Sequence, residues 1–184
     1  HCINACEDRI NFLAGYAAAL MAGSVTLLPQ SRAPKVLREL GERYAGSFRL
    51  DDADIGDWEA QDAAAEIPSF SRDQVAVILF TSGTTGTPRP HAKRWGSLVA
   101  GAHALQARVP AVRGAAIVGA VPPQHMWGLE TTVMLPMQSG AAVDASCPLL
   151  PAEIAAALEF LPAPRWLVAT PAHLRACALS AQRL

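Results

Sequence analysis

Along this chain apolar and polar positions alternate with two different periods, and the switches between them mark out the elements. Asp8 is placed to cap a helix running to about Met21, with Ile10, Leu13, Ala14, Ala17, Leu20 and Met21 at helical spacing and Gly23 ending it. Ser24 to Leu28 reads as a buried strand stopped by Pro29, and Pro34 opens a second helix to about Tyr44. Phe48 to Leu50 fits a short strand, whereas Asp51 to Ser71 shows no sustained period. Val75 to Phe80 is an unbroken apolar run rich in Val and Ile, the signature of a buried strand.

Beyond it the reading is a regular alternation of helix and strand. A helix is predicted from Trp95 to about Arg108, with Leu98, Val99, Ala102 and Leu105 on one face and His103 as a packed or surface residue. Strands at Ala115–Val121, Ala141–Asp144 and Arg165–Ala169 alternate with helices at Gly128 to about Gln138, Pro151–Leu161 and Pro171 to about Ser180. Short apolar strands separated by helices imply an α/β fold: a mainly parallel sheet flanked by helices on both faces.

Composition narrows the function classes. Hydrophobic residues make up 51% of 184 positions and charged ones 17%, so the chain is globular and one domain is the default. The formal net charge of -1, without a basic block, argues against a nucleic-acid surface. Cys2, Cys6, Cys147 and Cys177 lack metal-ligand or disulfide-framework spacing and read as thiols of a reducing, cytoplasmic compartment. The acidic stretch from Asp51 to Glu66 lacks a calcium-loop pattern and reads as a solvated connection, so no metal-ligating residues are expected. Phe12 to Leu28 is apolar but interrupted by Gly15 and Gly23, so no membrane span is expected, and Glu7 and Asp8 exclude a signal peptide. The start at His1 without Met leads us to expect a fragment, with a first strand cut off before it.

The candidate chemistry follows the apolar run. Thr81-Ser82-Gly83-Thr84-Thr85-Gly86-Thr87 is small and hydroxylic throughout, with Pro88, Arg89 and, further on, Lys93 at its exit. Glycines let backbone N–H groups turn toward an anion, hydroxyls add neutral donors, and the two cations sit at the rim, an arrangement suited to a polyphosphate. A plain surface turn has similar composition. An ordinary phosphate-loop NTPase is disfavoured because the Gly-Lys-Ser or Gly-Lys-Thr ending is absent.

The string from Phe80 to Arg89 resembles the phosphate-binding signature of the adenylate-forming superfamily of acyl-CoA synthetases, adenylation domains and luciferases. Two further stretches are similar to the same superfamily. One is the alanine-rich helix and strand from Asn11 to Pro29; the other is Val121-Pro122-Pro123-Gln124-His125-Met126-Trp127-Gly128-Leu129. The resemblance implies that residues 1–184 are part of the large N-terminal AMP-binding domain. The adenine and ribose elements, the hinge and the small C-terminal domain with its catalytic Lys are absent from these residues.

It assigns ATP phosphate binding to Thr81, Ser82, Gly83, Thr84, Thr85, Gly86, Thr87, Arg89 and Lys93. For Lys93 a solvated strand-end residue is the alternative. It gives His125, Trp127 and Gly128 to the substrate pocket, with helix capping as the alternative for His125. Arg89-Pro90 stands where Lys-Gly is usual. The charge is retained as a planar fork and a backbone donor is lost, a variant that looks most like the ligases of aryl-polyene pathways.

The activity implied is that of an AMP-forming acyl-CoA synthetase-like ligase. It activates a small-molecule carboxylic acid, whether fatty, aromatic or amino acid, as acyl-adenylate with ATP and Mg2+, then passes it to CoA or to a carrier protein's phosphopantetheine. The isolated chain, lacking any catalytic residue that the resemblance would place within it, is expected to be inactive. The rival reading is a truncated, non-catalytic homologue serving as a phosphate-binding or interaction module.

Overall fold

In the computed structural model, which describes residues 1–56, 68–81, 88–109 and 112–180, the chain forms two units, His1–Ser97 and Leu98–Leu184. The first is built on a five-stranded sheet. Its strands are β1 (Cys2–Asn4), β2 (Thr26–Leu28), β3 (Phe48–Leu50), β4 (Val75–Thr81) and β5 (Arg89–Arg94), in the order β3-β1-β2-β4-β5. The first four pair in parallel, and β5 closes the sheet as an antiparallel edge.

Two of these strands were not legible in the sequence. β1 is only Cys-Ile-Asn, too short to show a period, yet it is wholly buried between β2 and β3. β5 is polar and contains Pro90, which is acceptable because only an edge strand can spare a ladder donor. Its charged side chains also discourage pairing with another chain.

Helix α1 (Arg9–Met21) starts where predicted. The Asp8 carboxylate accepts from the N–H groups of Ile10 at 2.8 Å and Asn11 at 3.0 Å. It ends at Ala22, with Gly23 at φ 69°. The turn entering α1 is tied to the end of β3 by Asp52, whose carboxylate accepts from Glu7 N at 2.8 Å, Asp8 N at 3.2 Å and Asn11 Nδ2 at 3.1 Å. Asp52 itself opens a four-residue helix, α3 (Asp52–Ile55), inside the stretch expected to be irregular; residues 57–67 lie outside the described residues. Helix α2 (Pro34–Arg43) lays Leu37 and Leu40 onto Ile3, Leu27 and Phe80, forming the core of one sheet face. Each such side chain contributes about 2 kcal/mol by leaving water.

The second unit carries a three-stranded parallel sheet. Its strands are β6 (Ala116–Gly119), β7 (Ala142–Val143) and β8 (Arg165–Val168), in the order β7-β6-β8. The central β6 is entirely buried. Ile117 packs with Val112 and Leu135; beyond its carboxyl end, Ala120 packs with Ile154 of α7 (Pro151–Phe160) and Cys177 of α8 (Pro171–Leu179). Helix α4 (Trp95–Arg108) matches its predicted limits, and His103 on it is exposed.

The helix predicted from Gly128 to Gln138 is instead composite. It comprises α5 (Met126–Leu129), a π-helical turn (Glu130–Met134) and α6 (Leu135–Ser139). No helix among the described residues is long and apolar enough to cross a membrane. The α/β architecture, with mainly parallel strands flanked by helices, agrees with the sequence reading.

Candidate functional site

Strand β4 delivers Thr81 to the carboxyl end of the first sheet, and the antiparallel return of β5 sets Arg89 directly opposite it. Ser82, Gly83, Thr84, Thr85, Gly86 and Thr87 lie outside the described residues. What is described is the neck through which the chain enters and leaves that segment. Register pairs Thr81 with Arg89, Leu79 with His91 and Val77 with Lys93. Side chains alternate along a strand, so Arg89, His91 and Lys93 share the face on which Thr81 stands. Thr81, Arg89 and His91 are exposed and Lys93 is half-buried.

Thr81 Oγ1 lies 3.0 Å from His91 Nε2. On the opposite face Arg94 is neutralised by Asp73 at 3.0 Å, whereas Arg89 and Lys93 have no ion-pair partner among the described residues. The neck therefore offers a hydroxyl, an imidazole and two cations, with no carboxylate among the described residues paired to either cation.

Beside it, at the carboxyl ends of β2 and β4, opens a cavity of about 350 Å3 lined by residues including Pro29, Ser31, Leu40, Arg43, Phe80 and Pro88. Ligands of open α/β sheets bind at such strand ends. Arg43 is its cation. The guanidinium lies 5.9 Å from the ring centroids of both Tyr44 and Phe80 and donates to the Pro88 carbonyl at 3.4 Å. Neither His91 nor Arg43 emerged as a site residue from sequence. For His91 the available signal was its period-two spacing with Arg89 and Lys93.

In the second unit, the chain leaves β6 through Val121-Pro122-Pro123-Gln124 into α5. His125 caps that helix with its backbone: its carbonyl accepts from Leu129 N at 2.8 Å, and the imidazole makes no capping bond. His125 is exposed and Trp127 is 48% exposed, while Gly128 is buried. A Cβ on Gly128 would fall on the Pro122 carbonyl and 3.2 Å from Pro123 Cα, so only glycine allows the helix this close to the strand exit. Thr131 and Thr132 donate to the carbonyls of Trp127 and Gly128, the latter at 2.7 Å. Such bonds back to residue i−4 loosen the helical ladder, in keeping with the π turn there.

A sequence model of the family described as AMP-binding enzyme matches residues 1–183. The chain belongs to that family. It is 38% identical over 113 residues to a 4-coumarate–CoA ligase of Rhodobacter capsulatus, an alignment covering 58% of this chain and 28% of the relative. The fold is similar to ATP-bound MatB from Rhodopseudomonas palustris, with a TM-score of 0.76 and 20% identity over 98% of this chain and 41% of that one. It is also similar to the o-succinylbenzoate CoA synthetase MenE of Bacillus subtilis in complex with the acyl-adenylate OSB-AMP. There the TM-score is 0.67 and the identity 17%, over 86% of this chain and 36% of that one. The 184 residues thus span well under half the length of these relatives.

Within this AMP-binding family member, the sequence-predicted residues fall into two local groups. Thr81, Arg89 and Lys93 line the neck of the first unit; His125, Trp127 and Gly128 belong to the strand exit of the second. Among the described residues no three His, Cys, Asp or Glu side chains form a metal-ligand set. The cysteines are free, and buried except for the half-exposed Cys147. Burial, with Asp52 and Asp51 adding to it, pushes the Cys6 thiol up to about 12, and burial pushes Cys2 up to about 11, so neither is a ready nucleophile.

Proposed function

We propose that this chain is the phosphate-binding part of an ATP-dependent acid–thiol ligase, a partial N-terminal AMP-binding domain. The observation that carries the reading is the neck. A hydroxyl and a guanidinium without an ion-pair partner among the described residues face each other across β4 and β5, at the two ends of a segment made of Ser, Gly, Thr and Pro. Family membership supports it.

In the proposed reaction a carboxylate oxygen attacks the α-phosphorus of ATP. The new bond gives an acyl-adenylate, and the bond to the β-phosphate oxygen breaks with its electron pair leaving on pyrophosphate. The sulfur of a thiol, of CoA or of a carrier protein's phosphopantetheine, then attacks the acyl carbon; the carbon–oxygen bond to AMP breaks, AMP leaves with the electron pair, and the thiol proton passes to solvent. Thr81, Ser82, Gly83, Thr84, Thr85, Gly86 and Thr87 would hold the β- and γ-phosphates, with Arg89 and Lys93 offsetting the charge that grows on the leaving group. The described residues supply no ligand set for the Mg2+ that accompanies ATP. His125 and Trp127, exposed at a parallel strand's exit, would border the carboxylic acid, with Gly128 admitting the helix to that place.

The test is ATP–pyrophosphate exchange by the full-length protein across aliphatic, aromatic and amino acids, with aryl acids first in view of the coumarate-ligase relative. Exchange with at least one acid is expected. Arg89→Gln should raise the KM for ATP about tenfold, equivalent to roughly 1.4 kcal/mol, with little change in the KM of the acid. The 184-residue chain alone should show no exchange. Failure of the full-length protein with every acid would leave the non-catalytic homologue as the better reading.

A further inference from the structure

We propose that His91 is a positioning residue for the polyphosphate: its imidazole donates to the Thr81 hydroxyl and so turns that hydroxyl's own proton toward the anion. The inference rests on the ligase reading, but its geometry is independent of it. His91 sits two register positions inside the Thr81–Arg89 pair, opposite Leu79. The 3.0 Å contact from Nε2 to Oγ1 therefore crosses the strand pair diagonally, a reach that a ring on an edge strand can make.

A threonine hydroxyl has one proton and two lone pairs. If Nε2 accepts, that proton is spent on the imidazole and only lone pairs face a phosphate, which repel it. If Nε2 carries hydrogen, it donates to Oγ1, and the hydroxyl proton is left to point outward. Only the second arrangement runs every donor toward the anion, and each bond in such a chain polarises the next. Threonine's branched Cβ makes its χ1 stiff, so a single bond suffices to choose the rotamer. Arg89 and Lys93, on the same face and without ion-pair partners among the described residues, complete a row in which each group presents a donor. Of the groups on neighbouring elements, β4 brings no titratable side chain, and Arg43 of α2 reaches the Pro88 carbonyl.

The consequence is selective. The Thr81–His91 pair should matter for ATP, which carries β- and γ-phosphates, and not for AMP. Thermal unfolding of the full-length protein with ATP or AMP reads this without requiring turnover. His91→Leu should weaken ATP about fivefold, the loss of one hydrogen bond of about 1 kcal/mol, and leave both AMP and the unliganded unfolding temperature unchanged. His91→Gln, which keeps an N–H donor, should recover most of the loss. Thr81→Val should match His91→Leu, and the double variant should be no worse than Thr81→Val alone.

If His91→Leu does not fold, His91→Phe takes its place, keeping a strand-favouring ring without the nitrogen. The proposal is overturned if wild type responds to ATP while the leucine variant binds ATP equally well, if AMP suffers as much as ATP, or if the two single losses multiply. A wild-type protein that ATP does not stabilise at all removes the ligase reading, and this proposal with it.

Discussion

The neck at β4–β5 and the strand exit at Val121–Gly128 differ in what each depends on. At the neck the polar groups are side chains on an exposed edge, held by one diagonal hydrogen bond and facing outward. At the strand exit the determinant is backbone: Gly128 is pressed against the Pro122 carbonyl, and the threonines that follow donate back into their own helix. One region should tolerate substitution structurally and lose ligand affinity. The other should lose stability before any question of ligand arises. A glycine without room for a methyl group is a packing constraint, whereas an exposed arginine with no ion-pair partner among the described residues adds little to stability.

Gly128→Ala is the hardest blow to this contrast. The added carbon meets backbone atoms that cannot swing aside, and a loss of about 3 kcal/mol is expected in chemical denaturation. A change under 0.5 kcal/mol would mean that α5 shifts freely and that the strand exit is as tolerant as the neck.

Asp52→Ala, the first unit's own rigid joint, removes an acceptor serving three N–H donors at the entry to α1. About 2 kcal/mol should be lost. Thr132→Val keeps the shape and deletes the 2.7 Å bond to the Gly128 carbonyl. It should cost about 1 kcal/mol, and amide exchange in residues 130–134 reports whether the π turn reverts to a regular helix.

Arg89→Gln should move stability by no more than about 0.5 kcal/mol, as exposed substitutions do. A larger loss would turn the neck into a structural feature.

The smallest effect concerns pH. The N–H groups of Leu150 and Leu149 hold the Glu153 carboxyl below its ordinary value. A depressed folded-state value stabilises above the unfolded value and is lost as pH falls through the folded one. Wild type should therefore exceed Glu153→Gln at neutral pH, and the difference should vanish in acid.

Local rules carried much of the fold. Asp8, Pro34 and Gly23 mark helix ends by chemistry that needs no partner. The strands at Phe48 and Val75 and the helix at Trp95 fell close to their predicted limits for the same reason. The misses share a cause. β1 is a strand because β2 and β3 flank it, and nothing in Cys-Ile-Asn announces that. β5 reads as polar loop until β4 offers its free edge. The π turn follows from Thr131 and Thr132 bonding backward, a choice a helical period does not register. At the site the division is the same: Arg89 and Lys93 were visible as cations after a small, hydroxylic run, but not the alignment that puts His91 between them and against Thr81.

The sequence by itself determined the family, most of the order of helices and strands, and the small, hydroxylic make-up of residues 81–87, because propensity, capping and a long motif are properties of neighbours along the chain. Only the tertiary structure decided which strands are central, that Gly128 admits no side chain, and that His91 and Thr81 meet. Those depend on groups far apart in sequence whose distances are set by packing.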